Sequence, residues 1–271
     1  VTWTLGLSFD DYEQEALDEQ KLNPKFGAQW QVTDAVMLRA AAFRTVEPAL
    51  VANRTIEPTQ VAGFNQLFDD INATSAWRYG LGADWRLRQD LYAGAEVTWR
   101  DLDEPVFVDD DDVQFENREE QLHRIYLNWA PLPRWAFTAE LAYDRYESED
   151  GIATEFDNLP EKVETVRLPL GVRYFDPSGF FAGIGLSYVH QEVQRSPTST
   201  AGEGTDDFVL VDGSLGYRFP GRRGFASLEV RNLFDNGFQY QDDSYREFRD
   251  EPSIGPYIPE RQIRVRVTLN F

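Results

Sequence analysis

Residues 262–271 read Gln262-Ile263-Arg264-Val265-Arg266-Val267-Thr268-Leu269-Asn270-Phe271. Ile263, Val265, Val267, Leu269 and Phe271 fall on one flank of an extended chain, and Arg264, Arg266, Thr268 and Asn270 on the other. Strand side chains alternate between faces, so this stretch reads as a strand with one apolar and one cationic or polar face. The pattern recurs upstream. Trp77, Tyr79, Leu81, Ala83, Trp85 and Leu87 alternate with Arg78, Gly80, Gly82, Asp84 and Arg86. Leu91, Ala93, Ala95, Val97 and Trp99 alternate with Tyr92, Gly94, Glu96, Thr98 and Arg100.

Carried along the chain, the alternation predicts about twelve strands, near 1–11, 22–32, 36–47, 75–87, 90–102, 119–130, 134–147, 162–175, 179–194, 206–219, 223–234 and 259–271. The connections interleave short and long. Short turns fall near Thr33-Asp34, Arg88-Gln89, Pro131-Leu132-Pro133, Asp176-Pro177-Ser178 and Pro220-Gly221-Arg222. Long segments span 12–21, 48–74, 103–118, 148–161, 195–205 and 235–258. Strict interleaving is the habit of an outer-membrane barrel, with short periplasmic turns and long extracellular loops. The expected fold is therefore all-β, a transmembrane antiparallel up-and-down β-barrel forming one domain over residues 1–271 of a bacterial outer membrane protein. Trp3, Trp30, Trp77, Trp85, Trp99, Trp129, Trp135 and Tyr143 all fall on the apolar face, toward its ends, where headgroup-level girdles need rings. A soluble sandwich or barrel would bury one face in a side-chain core instead.

Composition agrees. The 271 residues carry a formal net charge of -21, which repels phosphate and excludes nucleic acid as a partner. No Cys is present, so disulfides and thiolate metal sites are excluded. No apolar run is long enough for a membrane helix, but a spanning strand needs only about 9–11 residues, half of them polar. The chain opens at Val1 within a strand and shows no signal peptide, so it is expected to be the C-terminal part of a longer polypeptide.

Two motifs carry a resemblance. Arg231-Asn232-Leu233-Phe234-Asp235 resembles the close of the penultimate strand in TonB-dependent receptors. Pro259-Glu260-Arg261 resembles the Pro-Gly-Arg that opens their last strand, with Glu260 in place of Gly. Asn23-Pro24-Lys25-Phe26-Gly27 followed by Leu38-Arg39-Ala40 is similar to a receptor strand pair. The resemblance implies that Phe271 is the terminal aromatic read by the outer-membrane assembly machinery. No counterpart of the receptors' plug domain or TonB-contacting segment lies in this sequence, so energised uptake is not carried over. Residues 56–65 and the loop from Tyr240 to Pro259 resemble a group in which tetratricopeptide repeats precede such a barrel. That implies periplasmic repeat domains and, in some members, polysaccharide export.

The face opposite the lipid stripe is expected to line the lumen. Its cations are Lys25, Arg39, Arg78, Arg86, Arg100, Arg124, Arg167, Arg173, Arg218, Arg231, Arg264 and Arg266, and its anions Asp84, Glu96, Glu140, Asp144, Asp212 and Glu229. Two readings are open. Arginine–carboxylate pairs brace the wall, or fixed cations in a narrow passage draw anions through it. The loops are acidic, with Asp10, Asp11, Glu13, Glu15, Asp18 and Glu19 in the first and Asp242, Asp243, Glu247, Asp250 and Glu251 in the last. The run Asp109, Asp110, Asp111, Asp112 could hold a hard cation or bridge to lipopolysaccharide phosphates, but lacks the spacing of an EF-hand loop. A self-repelling rim is the plainer account.

His123 and His190 lie in no hydrolase motif, and neither Gly-x-Ser-x-Gly nor His-Glu-x-x-His occurs, so no enzymatic activity and no cofactor are expected. Both histidines read as interfacial or rim residues. In segment 48–74, Phe64, Leu67, Phe68 and Ile71 have helical spacing, which predicts a short amphipathic helix folded into the lumen or capping it. Three roles fit this sequence: a passive, porin-like transport barrel with an arginine-rich lumen, an export barrel working with upstream repeats, and a plugged receptor or anchor. Outer-membrane lipid and lipopolysaccharide are the expected surroundings.

Overall fold

The computed structural model describes residues 1–14, 17–47, 60–65, 70–109, 112–148, 160–195, 203–240, 257 and 259–270. Twelve strands form one antiparallel sheet: β1 (Thr2–Gln14), β2 (Leu17–Thr33), β3 (Val36–Val46), β6 (Ser75–Arg88), β7 (Leu91–Asp109), β8 (Asp112–Leu132), β9 (Trp135–Ser148), β10 (Lys162–Phe175), β11 (Phe180–Gln194), β12 (Gly204–Arg218), β13 (Gly224–Arg231) and β14 (Gln262–Leu269). A separate hairpin pairs β4 (Gln60–Val61) with β5 (Phe64–Asn65). Each long strand bonds to its neighbour in sequence, the up-and-down order of a β-barrel. No ladder joining β1 to β14 is among the described residues.

All five predicted short turns are present, between β2 and β3, β6 and β7, β8 and β9, β10 and β11, and β12 and β13. The opposite end differs from expectation in two places. Segments 12–21 and 103–118 are not loops: β1 and β2 pair out to Gln14↔Leu17, and β7 and β8 out to Asp109↔Asp112. At 21 residues, β8 is twice the length that crosses a bilayer, so its upper half stands in water. There no lipid meets the outer face, the inner face buries charged groups such as Glu104, Glu116 and Arg118, and the apolar alternation that marks a strand disappears.

The outward face is apolar and exposed. Trp3 is 68%, Leu5 72%, Ile125 61% and Val265 71% accessible, values that suit lipid contact rather than a water-facing sheet. Aromatic rows edge this band. Toward the short turns, Trp129 packs on Phe137 at 5.4 Å and Trp135 on Tyr174 at 4.9 Å between ring centres. Toward the loops, His123 sits between Trp99 at 5.4 Å and Tyr143 at 5.8 Å. His123 is thus one more ring in a headgroup-level girdle. No described helix is long and apolar enough to cross a membrane; the strands are the spanning elements.

Strand β13 ends at Arg231, three residues before its predicted end, because Asn232 takes a left-handed backbone (φ 48°). Asn232 is almost fully buried; its Nδ2 donates to the Asn236 carbonyl and its Oδ1 accepts from the Asn236 amide. Asp235 Oδ1 accepts the Arg261 amide at 2.8 Å. The two receptor-like motifs, distant in sequence, therefore meet where β13 ends and β14 begins. Phe271 lies outside the described residues.

Candidate functional site: the inner face

The ladder register puts the predicted arginines on one face, which the hairpin and a cavity identify as the interior. Across β3, β6, β7 and β8 they are paired. Arg39 Nε donates to Asp84 at 2.7 Å and Nη2 to Glu96 at 3.0 Å, while Arg124 reaches Glu96 at 3.4 Å. Tyr126 closes the group by donating its hydroxyl to Asp84. Arg100 pairs with Glu120 at 2.6 Å and with Asp70. Higher up, Arg118 bridges Glu104 at 2.6 Å and Glu116 at 2.9 Å, and Ser148 donates to Glu116. Glu104, Glu116 and Arg118 are essentially inaccessible. Charges so deeply buried persist only because each is matched, since an isolated one would cost several kcal/mol. On this side the bracing reading describes what the arginines do.

The hairpin lies on the same side, within the segment predicted to carry a short helix. Ala62 (φ 50°) and Gly63 (φ 89°) both have positive φ, as a two-residue hairpin turn of the primed type requires. Phe64 pairs across it with Val61, so it is in a strand; Leu67 and Phe68 lie outside the described residues. Val61 and Phe64 are each 1% exposed, packed on Ala41 and Phe43 of the wall. Burying two such side chains contributes roughly 1.5–3 kcal/mol each. Arg39 lies 5.0 Å from the Phe64 ring centre, and Arg78 Nη1 donates to the Asn65 carbonyl at 2.8 Å.

From β8 round to β13 the interior is open. A cavity of about 1010 Å³ is lined by Arg124, Tyr126, Glu140, Arg173, Asp212, Ser214, Arg218, Glu229 and Arg231 among others. Among the described residues, Arg173, Arg218 and Arg231 form no ion pair, nor do Arg264 and Arg266 on β14. Arg218 instead stacks on Phe175 at 5.3 Å and Phe181 at 5.8 Å, an arrangement that fixes a guanidinium without neutralising it. Three carboxylates, Glu140, Asp212 and Glu229, share the cavity lining with four arginines, Arg124, Arg173, Arg218 and Arg231, so the lining holds one more cation than anion. Above the cavity, Phe208 stacks on Phe238 at 4.0 Å and meets Tyr257 at 5.8 Å, so parts of the last loop fold over the interior. Sequence reasoning missed these capping rings, because no period links a loop aromatic to the strand it covers.

The remaining predicted residues fall as follows. Arg86 is exposed at the short-turn end and donates to the Asp34 carbonyl. Arg167 reaches Asp144 at 3.8 Å. Asp212 accepts the Asn232 amide. Asp109 and Asp112 face each other at the β7–β8 tip, and Asp110 and Asp111 lie outside the described residues. Among the described residues no three acidic or histidine side chains are grouped as metal ligands. His190 Nδ1 lies 2.9 Å from Asp207 on the outward face.

The TonB-dependent receptor-like β-barrel family model matches residues 1–233, and the chain belongs to that family. Family members reside in the outer membrane of Gram-negative bacteria. Among solved structures, the chain is similar to the closed form of the ferric-catecholate import receptor Fiu of E. coli K12. The identity is 19% and the TM-score 0.52, over 82% of this chain and 32% of Fiu. The chain thus spans about a third of that receptor's length. The monoaromatic hydrocarbon channel CymD aligns at 9% identity with a TM-score of 0.34, over 84% of this chain and 71% of CymD. No curated protein sequence matches.

Proposed function

We propose that this chain forms the wall of a passive transport barrel in a Gram-negative outer membrane. Solutes pass along the β8–β14 side of the lumen, and the unpaired arginines there favour anions. The observation that carries this reading is the contrast in pairing: among the described residues, Arg173, Arg218 and Arg231 line the cavity, and Arg264 and Arg266 lie on the same face of β14, without an ion pair. Fixed cations lining a passage of low dielectric raise the local anion concentration.

The test is the reversal potential of the full-length protein in a planar bilayer under a salt gradient. An anion-biased potential that moves toward neutrality in an Arg264→Gln, Arg266→Gln double variant is expected. An unchanged potential would remove these two residues from the pore role. A plugged receptor is the second reading, favoured by the aromatic cap of Phe208, Phe238 and Tyr257 over the cavity. It predicts a silent bilayer together with ligand binding at the loops. Export through the barrel predicts silence that ends when upstream repeat domains are supplied.

A further inference from the structure

We infer that the β4–β5 hairpin is the size-selecting constriction of the barrel, a fixed element seated on the inner wall. The inference rests on the transport reading above. The hairpin occupies the middle of the wall: Gly80 is the sixth of fourteen residues in β6, and Ala41 the sixth of eleven in β3. The wall beneath it is cut to receive it. A Cβ added at Gly27 would stand 2.8 Å from the Ala62 Cβ and 2.9 Å from Val61 Cγ1; one at Gly80 would stand 2.5 Å from Phe64 Cδ1. No side chain but hydrogen fits at either place while the hairpin stays docked. Arg39 is the floor under Phe64 and is itself held by two carboxylates, Asp84 on the next strand and Glu96 on the one beyond it, so the seat cannot retreat outward. Arg78 holds the other end through the Asn65 carbonyl. Solute is thereby kept off the β2–β6 side and confined to the cationic channel opposite.

Gly80→Val drives a wedge under Phe64 without altering the hairpin, and a Val61→Ala, Phe64→Ala double variant removes the anchors without altering the wall. Because the chain has no cysteine, an Ala41→Cys substitution gives a single thiol beneath the hairpin. Two measurements on the full-length protein follow: swelling of proteoliposomes in uncharged sugars of increasing size, and reaction of that thiol with a hydrophilic maleimide. Both variants are expected to admit larger sugars than the parent, and to label on the order of tenfold faster, as a locally opened segment would. Faster labelling with an unchanged sugar cutoff overturns the size-selecting role and leaves the transport reading standing. Equally rapid labelling in the parent shows that the hairpin is not docked and overturns the inference. Swelling by no sugar in parent or variants removes the transport reading and this inference with it.

Discussion

Arg39, Arg100 and Arg118 on the inner face of β3, β7 and β8 each hold two carboxylates, whereas among the described residues Arg173, Arg218 and Arg231 on β10, β12 and β13 hold none. The residue type is the same and the strand geometry is the same. The difference lies in what each side encloses. Where the hairpin and the tall β7–β8 extension cover the arginines, water is excluded and each charge must be matched. Where the wall borders the cavity, water solvates the guanidinium and pairing is unnecessary. Two jobs, bracing and lining, thus fall to one amino acid on opposite walls.

The sharpest way to break this comparison is to remove one cation from each side. Arg39→Met leaves Asp84 and Glu96 without their shared partner and takes the floor from under Phe64. A loss of about 3–5 kcal/mol in unfolding free energy is expected, the cost typical of stranding a buried charge. Arg218→Gln at the cavity gives up only its stacking on Phe175 and Phe181 and is expected to cost about 1 kcal/mol. Urea unfolding in detergent micelles, followed by tryptophan fluorescence, measures both. Comparable losses at the two positions would abolish the distinction between bracing and lining.

The cavity side must then owe its stability to something other than ion pairs, and Asn232 is the nearest candidate. It closes β13 in a left-handed conformation, donates its backbone amide to the Asp212 carboxylate, and ties the chain to Asn236. Asn232→Ala is expected to cost about 1–3 kcal/mol, combining lost buried hydrogen bonds with alanine's poorer tolerance of the left-handed region, which asparagine visits more readily. Asn232→Gly removes only the hydrogen-bonded part, so its loss should be smaller. If alanine and glycine behave alike, the backbone conformation is not what the asparagine supplies.

Much of this was legible in the sequence, and the failures share a cause. Alternation such as Ile263, Val265, Val267 against Arg264, Arg266 reveals a strand because lipid lies on one flank and water on the other. That contrast ends where the strands leave the membrane, so residues 103–109 and 112–118 read as loop although they pair residue by residue. The hairpin was invisible for a related reason: strands of two residues have no period, and Phe64, placed in a strand, shares a helical spacing with residues further on. The face of each arginine follows from parity alone. Its partner does not, since Arg39 meets Glu96 from a strand two places away, 57 residues on. Only the assembled register decides which cations are matched.

The smallest expected effect sits at the short-turn end of the cavity side. Asp176 in the β10–β11 turn accepts from the Ser178 side chain, the Ser178 amide at 3.0 Å and the Tyr174 hydroxyl at 2.8 Å, with Arg134 at 3.5 Å. These donors, Ser178 foremost, lower its pKa from the ordinary 3.8 to about 2. A carboxyl depressed by folding stabilises the fold above its unfolded pKa and loses that contribution as pH falls through its folded one. The turn's share of stability is therefore complete above about pH 4 and gone near pH 2. Asp176→Asn should remove the pH dependence in that window while leaving the reversal potential untouched, because the turn stands outside the proposed permeation path. Since the carboxylate is open to solvent, its effect should also shrink in high salt. A pH dependence that survives the substitution would assign the titration to another carboxylate.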